Sequence, residues 1–280
     1  MSEIEGMPAL RKTLDRMVRA VSFCRLPERL MIVTTNHGAV RELRLDRPPA
    51  NALSPQLIVA LKQAVEAAPE NGARALVLSG TPGMFSGGLD VPLLVALDRP
   101  AIAQVWHDFY SLLRALARSP IPIAAAITGH GPAGGTVLAL FCDWRGMAEG
   151  DWKIGFNEVQ VGIPLPPVIL GALRRQVGAR QAERLGTGGL VISAAEAARL
   201  GLVDELIPPE RVVERAVELC HSLLALPPQA MTATRRRARA DLAGLFDQIE
   251  DELDEVVANW WSDEAQSVLR ALAAKLTKKK

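Results

Sequence analysis

The stretch GFNEVQVGI (155–163) sets one carboxylate, Glu158, among Phe156, Val159, Val161 and Ile163. Apolar surroundings disfavour the charged form of a carboxyl and raise its pKa. A carboxyl brought nearer neutral pH takes up and returns a proton more readily, which is what a general acid/base requires. Two other stretches offer complementary chemistry. FSGGLD (85–90) and GPAGG (131–135) each place a glycine pair between a strand-like and a helix-like segment. Glycine admits positive φ and a close approach of backbone to ligand. The helix that follows adds free N–H groups and the positive end of its dipole. Two such turns on neighbouring strands could aim two N–H groups at one oxygen, the arrangement that stabilises charge building on a carbonyl. By spacing alone, plain turns are the commoner outcome for Gly-Gly pairs. Neither turn matches the phosphate loop GxxxxGK[ST] or the dinucleotide fingerprint GxGxxG, and the GxSxG nucleophile elbow is missing.

The elements that must carry these residues read as follows. MIVTTNHGAVRELRLDRP (31–48) is a hairpin turning at Asn36-His37-Gly38. Ser54-Pro55 marks the start of a helix with Leu57, Ile58, Leu61, Ala64 and Val65 on one side. ARALVLSG (73–80) has no polar face after Arg74, which predicts a buried strand. A helix follows the first glycine turn over 99–118. The same unit recurs, with IPIAAAI (121–127) as strand, TGHGPAGG as turn and TVLALFCD (136–143) as the start of a helix. WRGMAE and WKIGF read as further strands. From about residue 164 the pattern is mostly helical, with a capping box at Ser193–Glu196 and a break at Pro227-Pro228. The last fifty residues read as one long helical pattern through Leu245, Ile249, Leu253, Val256 and Val257. Strand, glycine turn and helix in repetition give α/β architecture. The expected divisions are an N-terminal extension at 1–30, a core at 31–225 and a C-terminal helical region at 226–280.

Bulk properties narrow the class. The 280 residues are 49% hydrophobic and 22% charged, with a net charge of +1, so no global bias toward nucleic acid or membrane surfaces exists. Three widely spaced cysteines (Cys24, Cys142, Cys220) without CxxC argue against a disulfide framework and a zinc site, and suit a reducing compartment. The four histidines form no HExxH pair, so no metal site is expected. No apolar run approaches the ~20 residues of a membrane helix. Residues 11–29 are basic and amphipathic like a transit peptide, but Glu3, Glu5 and Asp15 count against that, leaving a short helical extension and the cytoplasm as the default compartment.

Taken in order and spacing, NAL (51–53), FSGGLD, PAGG…ALFCD and FNEVQVGI resemble the crotonase superfamily of acyl-CoA enzymes over roughly 31–280. The turns, NEVQVGI and the tail NWWSDEAQSVLRALAAKL are most similar to mitochondrial-type Δ3,Δ2-enoyl-CoA isomerases. This resemblance implies a crotonase-like α/β spiral of ββα units with a C-terminal helical trimerisation region, in a homotrimer or dimer of trimers. It implies an acyl-CoA thioester substrate, coenzyme A entering as part of the substrate and no separate cofactor. It also implies an oxyanion hole from the N–H groups of Leu89 and Gly134. Ala50, Ala52, Leu53, Ser86, Gly87 and Gly88 would line the path of the CoA moiety.

Hydratases of this superfamily carry two glutamates, one of them three residues beyond the oxyanion glycine of the second turn. Here that position is Val137, and the other glutamate falls at Glu158. Adding water requires activating it and protonating the α carbon, which suits two carboxylates. Moving a double bond requires one base that takes a proton from C2 and returns it at C4. The expected reaction is therefore a 3-to-2 double-bond shift through a dienolate. Hydration, decarboxylation or thioester hydrolysis are the alternatives, and a non-catalytic acyl-CoA-binding protein is a further one. Other residues read as structural. Asn157 suits a turn or cap, Asp90 a cap or loop bond, and His107 and His130 packing, with contact to substrate left open for His130. Trp260-Trp261 reads as packing or subunit contact. Arg235–Arg237 with Arg239 reads as a solvated face rather than a phosphate site, and the terminal KKK as a disordered end.

Overall fold

A computed structural model describes residues 31–247 and 249–278; the extension expected at 1–30 lies outside them. Strands β1 (Ile32–His37) and β2 (Val40–Leu45) form the expected hairpin, though it turns at Gly38-Ala39 with Asn36 and His37 paired in the strand, and Ser54 caps helix α1 (Pro55–Ala67) by accepting from Leu57 N. Strand β3 (Ala75–Ser79) leads into the short β4 (Gly83–Met84), α2 (Val91–Leu94) and the long α3 (Arg99–Arg118). The unit repeats as β5 (Ile123–Ile127), β6 (Gly129–Pro132) and α4 (Gly134–Leu140), followed by β7 (Trp144–Ala148) and β8 (Lys153–Gly155). Helices α5 (Pro167–Val177) and α6 (Ala179–Thr187) precede β9 (Val191–Ser193), α7 (Ala194–Arg199) and β10 (Glu205–Ile207).

Two sheets result. One runs β1-β2-β3-β5-β7-β10 and is parallel from β2 onward; the other runs β4-β6-β8-β9. Each early repeat therefore sends one strand to each sheet before its helix. This is the spiral of ββα units, and it explains why the two glycine turns end side by side. Their flanking strands β4 and β6 are neighbours in register, Gly83 beside Gly129.

The central strands are buried on both faces, which is why they read as unbroken apolar runs. Leu76, Leu78, Ile123, Ala125 and Ile127 point into the main core, while Val77, Ala124 and Ala126 point to the face covered by helix α8 (Val212–Leu224). Only the serine half of the capping box forms: Ser193 Oγ accepts from Glu196 N, while the Glu196 carboxylate pairs with Arg184 at 2.8 Å.

Among the described residues the C-terminal tail is three helices after α9 (Pro228–Ala238), not one: α10 (Ala240–Gly244), α11 (Glu250–Trp260) and α12 (Asp263–Thr277). Ser262 caps the last of them, accepting from Ala265 N, so the chain turns there and both α11 and α12 fold back onto the core. The basic run is a solvated face in part: Arg236 and Arg237 are exposed, but Arg235 and Arg239 turn inward. Arg235 grips Asp143 at 2.7 and 2.8 Å and the Ser119 carbonyl at 2.6 Å, and Arg239 is buried with Asp143 at 3.3 Å. Helical periodicity could not reveal this, because the partner lies 92 residues earlier. None of the helices among the described residues is long and apolar enough to cross a membrane.

Candidate active site

The first glycine turn is tied to the 50–53 loop by a short ladder. Gly87 N donates to Ala50 O at 2.8 Å and Leu53 N to Gly88 O at 2.8 Å, and Asp90 N donates to Leu53 O at 3.1 Å. Leu53 thus bonds the residues on either side of Leu89 and skips Leu89 itself, whose N–H points to the opposite side. The Gly134 N–H opens helix α4 and has no preceding turn to accept it. Neither amide has an acceptor among the described residues.

The two amides lie together. A Cβ built on Gly134 would stand 3.4 Å from Leu89 N and 3.0 Å from Gly88 Cα. Gly88 itself has φ +86°, a conformation side chains other than glycine's disfavour. Ala133, just before Gly134, holds φ +52° without being glycine, and its own N–H is fixed to Gly155 O at 2.8 Å. Backbone strain of this sort costs ~1–3 kcal/mol and persists where surroundings enforce it.

Glu158 enters from the third repeat. Thr136 Oγ1 accepts from Gly155 N at 2.8 Å and lies within bonding distance of the Gly131 and Gly155 carbonyls, so helix α4 is joined to the strand end leading to Glu158. The Glu158 carbonyl accepts from Val161 N and Ile163 N, and Gln160 Nε2 donates to Gly189 O at 2.8 Å, which pins the loop. On the far side Gly162 packs against the backbone of Ala265 in α12. The apolar company differs from the sequence reading. Phe156 and Ile163 are buried and Val161 lines a cavity, but Val159 points outward, 45% exposed.

That cavity, about 220 Å³, is where the pieces meet: Leu89, Gly134 and Glu158 all line it. The Glu158 side chain is mostly covered, and its Oε2 is sealed from solvent without a hydrogen-bond partner. Desolvation pushes its carboxyl up to about 7, with the nearby amides of Glu158 and Asn157 pulling weakly the other way. No other carboxylate lines this cavity among the described residues, and Val137 occupies the wall of helix α4. The rest of the wall is apolar, from Trp106 and Phe109 of α3, Ile169 of α5 and Leu269 of α12.

The remaining sequence candidates divide. Of Ala50, Ala52, Leu53, Ser86, Gly87 and Gly88, only Gly87 reaches the cavity wall. Leu53 and Ser86 are fully buried, and Ser86 Oγ donates to Asn51 O at 2.9 Å and accepts from Gly88 N at 3.2 Å, a turn-holding role. Asn157 lines the cavity beside Glu158. Asp90 caps α2 and pairs with Arg47 at 2.6 Å, as a structural residue would. His130 accepts from Lys153 N at 3.1 Å and packs edge-on against Trp152, and His107 is exposed beside Asp108. Trp260, expected only to pack, lines the cavity.

One residue with a large part in the site had no role assigned from sequence. Asn51, fully buried at φ +47°, accepts from Arg47 N and sends Nδ2 toward Thr81 Oγ1, Met84 O and Phe85 O at 2.9–3.2 Å. It fastens the strand entering the first turn. Its signal was an asparagine in a tight loop, the residue that best tolerates a left-handed backbone after glycine.

A protein-family model for enoyl-CoA hydratase/isomerase matches residues 35–273. The chain belongs to the enoyl-CoA hydratase/isomerase family. Within that family it is 32% identical to the mitochondrial enoyl-CoA delta isomerase 1 of Mus musculus, over 90% of this chain and 89% of that protein. It is also 35% identical to a probable enoyl-CoA hydratase of Mycobacterium avium, over 69% of this chain and 75% of the other. Among solved structures, the human mitochondrial Δ3,Δ2-enoyl-CoA isomerase superposes with a TM-score of 0.84 at 30% identity, covering 89% of this chain and 99% of that one. The crotonase fold read from the motifs is the fold of this family's structures.

Proposed function

We propose that this family member shifts the double bond of an enoyl-CoA from the 3 to the 2 position, with Glu158 as the single acid/base. The observation carrying the proposal is that one carboxylate, and only one among the described residues, faces the cavity where the Leu89 and Gly134 amides converge. The thioester oxygen accepts from those two amides. Glu158 takes the proton from C2, the electron pair passes into a dienolate, and the negative charge rests on the oxygen between the two N–H groups. Glu158 then returns the proton at C4. A carboxyl poised near neutral pH serves both directions of transfer. Val137 leaves nothing on the opposite wall to activate a water, which disfavours hydration.

The chemistry requires no cofactor beyond the CoA carried by the substrate. The CoA moiety would leave the cavity past Gly87 along the 50–53 loop. A homotrimer or dimer of trimers is part of the same proposal, and the mass in solution tests it. The reaction is tested by incubating purified protein separately with a 3-enoyl-CoA and a 2-enoyl-CoA in heavy water and identifying products by mass. The proposal expects 2-enoyl-CoA from the first and at most slow exchange from the second. Rapid formation of 3-hydroxyacyl-CoA would replace it with the hydratase reading.

A further inference from the structure

The cavity wall is open to solvent at one residue and closed at an aromatic cluster. Leu276, on its wall, is 43% exposed, whereas Trp106, Phe109 and Trp260 are exposed by 4%, 2% and 1%. The reacting groups Leu89, Gly134 and Glu158 share this space with the aromatic end. An acyl chain whose thioester oxygen sits between the two amides must send its remaining carbons into that space.

The aromatic end is built as a firm stop. Trp106 meets Phe109, Tyr110 and Trp260 edge-on at centroid distances of 6.1, 6.3 and 6.4 Å. Such edge-to-face sets add stability beyond simple burial and fix ring orientation. The Trp260 backbone is held from α12, because Gln266 Nε2 donates to its carbonyl at 2.9 Å. No methionine, the residue that yields to varied ligands, lines the cavity among the described residues.

Volume gives the scale of the chain that fits. A dry cavity of ~150 Å³ holds a six-carbon ring, about 25 Å³ per carbon. The 220 Å³ here corresponds to about nine carbons on the same scale. We infer that Trp106 and Trp260 act as a length gauge that restricts the enzyme to short and medium acyl chains, up to about eight or nine carbons. The inference rests on the cavity being the acyl site of the proposed isomerase.

Binding separates this inference from the reaction itself. Affinities of saturated acyl-CoAs of about four, eight and sixteen carbons are measured by calorimetry on the wild type, Trp106→Ala and Trp260→Leu. The wild type is expected to bind the eight-carbon chain best and the sixteen-carbon chain at least tenfold more weakly. Either substitution should remove that penalty, read as the ratio of eight- to sixteen-carbon affinity within each variant, with near-native circular dichroism reporting an intact fold. Should one variant fail to fold, the other and the wild-type series still decide. Wild-type affinity that climbs steadily to sixteen carbons, or a penalty unchanged in a folded variant, would overturn the gauge. Failure of 3-enoyl-CoA to isomerise would count against the proposed reaction and not against this length profile.

Discussion

Gly88 and Gly134 stand so close that a methyl group on Gly88 would lie 2.9 Å from the Gly134 nitrogen and equally near Ala133 Cβ. Two turns that are 46 residues apart in the chain thus form one feature, and only the ββα repeat explains their meeting. Gly88→Ala should therefore spread the two amides and also strain a backbone held at φ +86°. The expected result is a fall in kcat of about 10²-fold or more, with near-native circular dichroism, since a lost oxyanion donor costs on that order. Wild-type kcat in this variant would mean that the paired amides do not hold the developing charge.

Asn51 makes a prediction about stability and position together. Asn51→Ala removes the acceptor of the part-buried Arg47 N–H and a donor to the Met84 and Phe85 carbonyls, the last of these buried, and leaves a non-glycine at positive φ. Roughly 2–3 kcal/mol should be lost in denaturant unfolding. Activity of the folded fraction should fall too, because the first turn loses its anchor. Asn51→Gly, which relieves only the backbone, should recover part of the stability and little of the activity.

Glu158 gives a pH signature whose sign can be worked out. In the folded chain its carboxyl keeps a proton up to about pH 7, against an ordinary value of 4.5. Between those values the folded state binds more protons than the unfolded state, so this group's contribution to stability declines as pH rises through the window. Glu158→Gln carries no such penalty. Thermal unfolding should show the variant matching wild type near pH 4.5 and exceeding it above pH 7, by roughly 1–3 kcal/mol. A variant less stable than wild type at pH 8 would contradict burial of the charge. The wild-type kcat/KM should climb with pH toward an apparent pKa near 7.

Asp143 sits between Arg235 and Arg239, none of which lines the cavity, and offers a contrast. Asp143→Ala leaves two largely buried guanidinium groups without their carboxylate. Chemical denaturation should register a loss of about 3–5 kcal/mol. The folded fraction should retain the wild-type pH dependence of activity, because none of these groups lines the cavity.

Much of this was legible in the sequence for definite reasons. Strands such as IPIAAAI betray themselves because burial on both faces leaves no polar phase. Ser54-Pro55 and Ser193–Glu196 mark helix starts because capping is local chemistry. Glu158 stood out as a charge among apolar residues. What escaped was set by distant partners. The outward turn of Val159 depends on the three-residue 3-10 helix that Gly162 ends. The ion pairs of Arg235 and Arg239 depend on Asp143, and the inward placement of Trp260 depends on where the break at Ser262 lets α11 and α12 fold. Periodicity reports which face of a helix is apolar but not which cavity it closes.

The central claim is that one carboxylate carries the proton from C2 to C4. Its most direct test is the turnover of a medium-chain 3-enoyl-CoA by Glu158→Gln, with binding of the same substrate followed in parallel. The account predicts substrate affinity within a few-fold of wild type and a loss of about 10²–10⁴ in kcat, the range expected for removing a positioned acid/base. Isomerisation by the folded variant at a rate near wild type would contradict it.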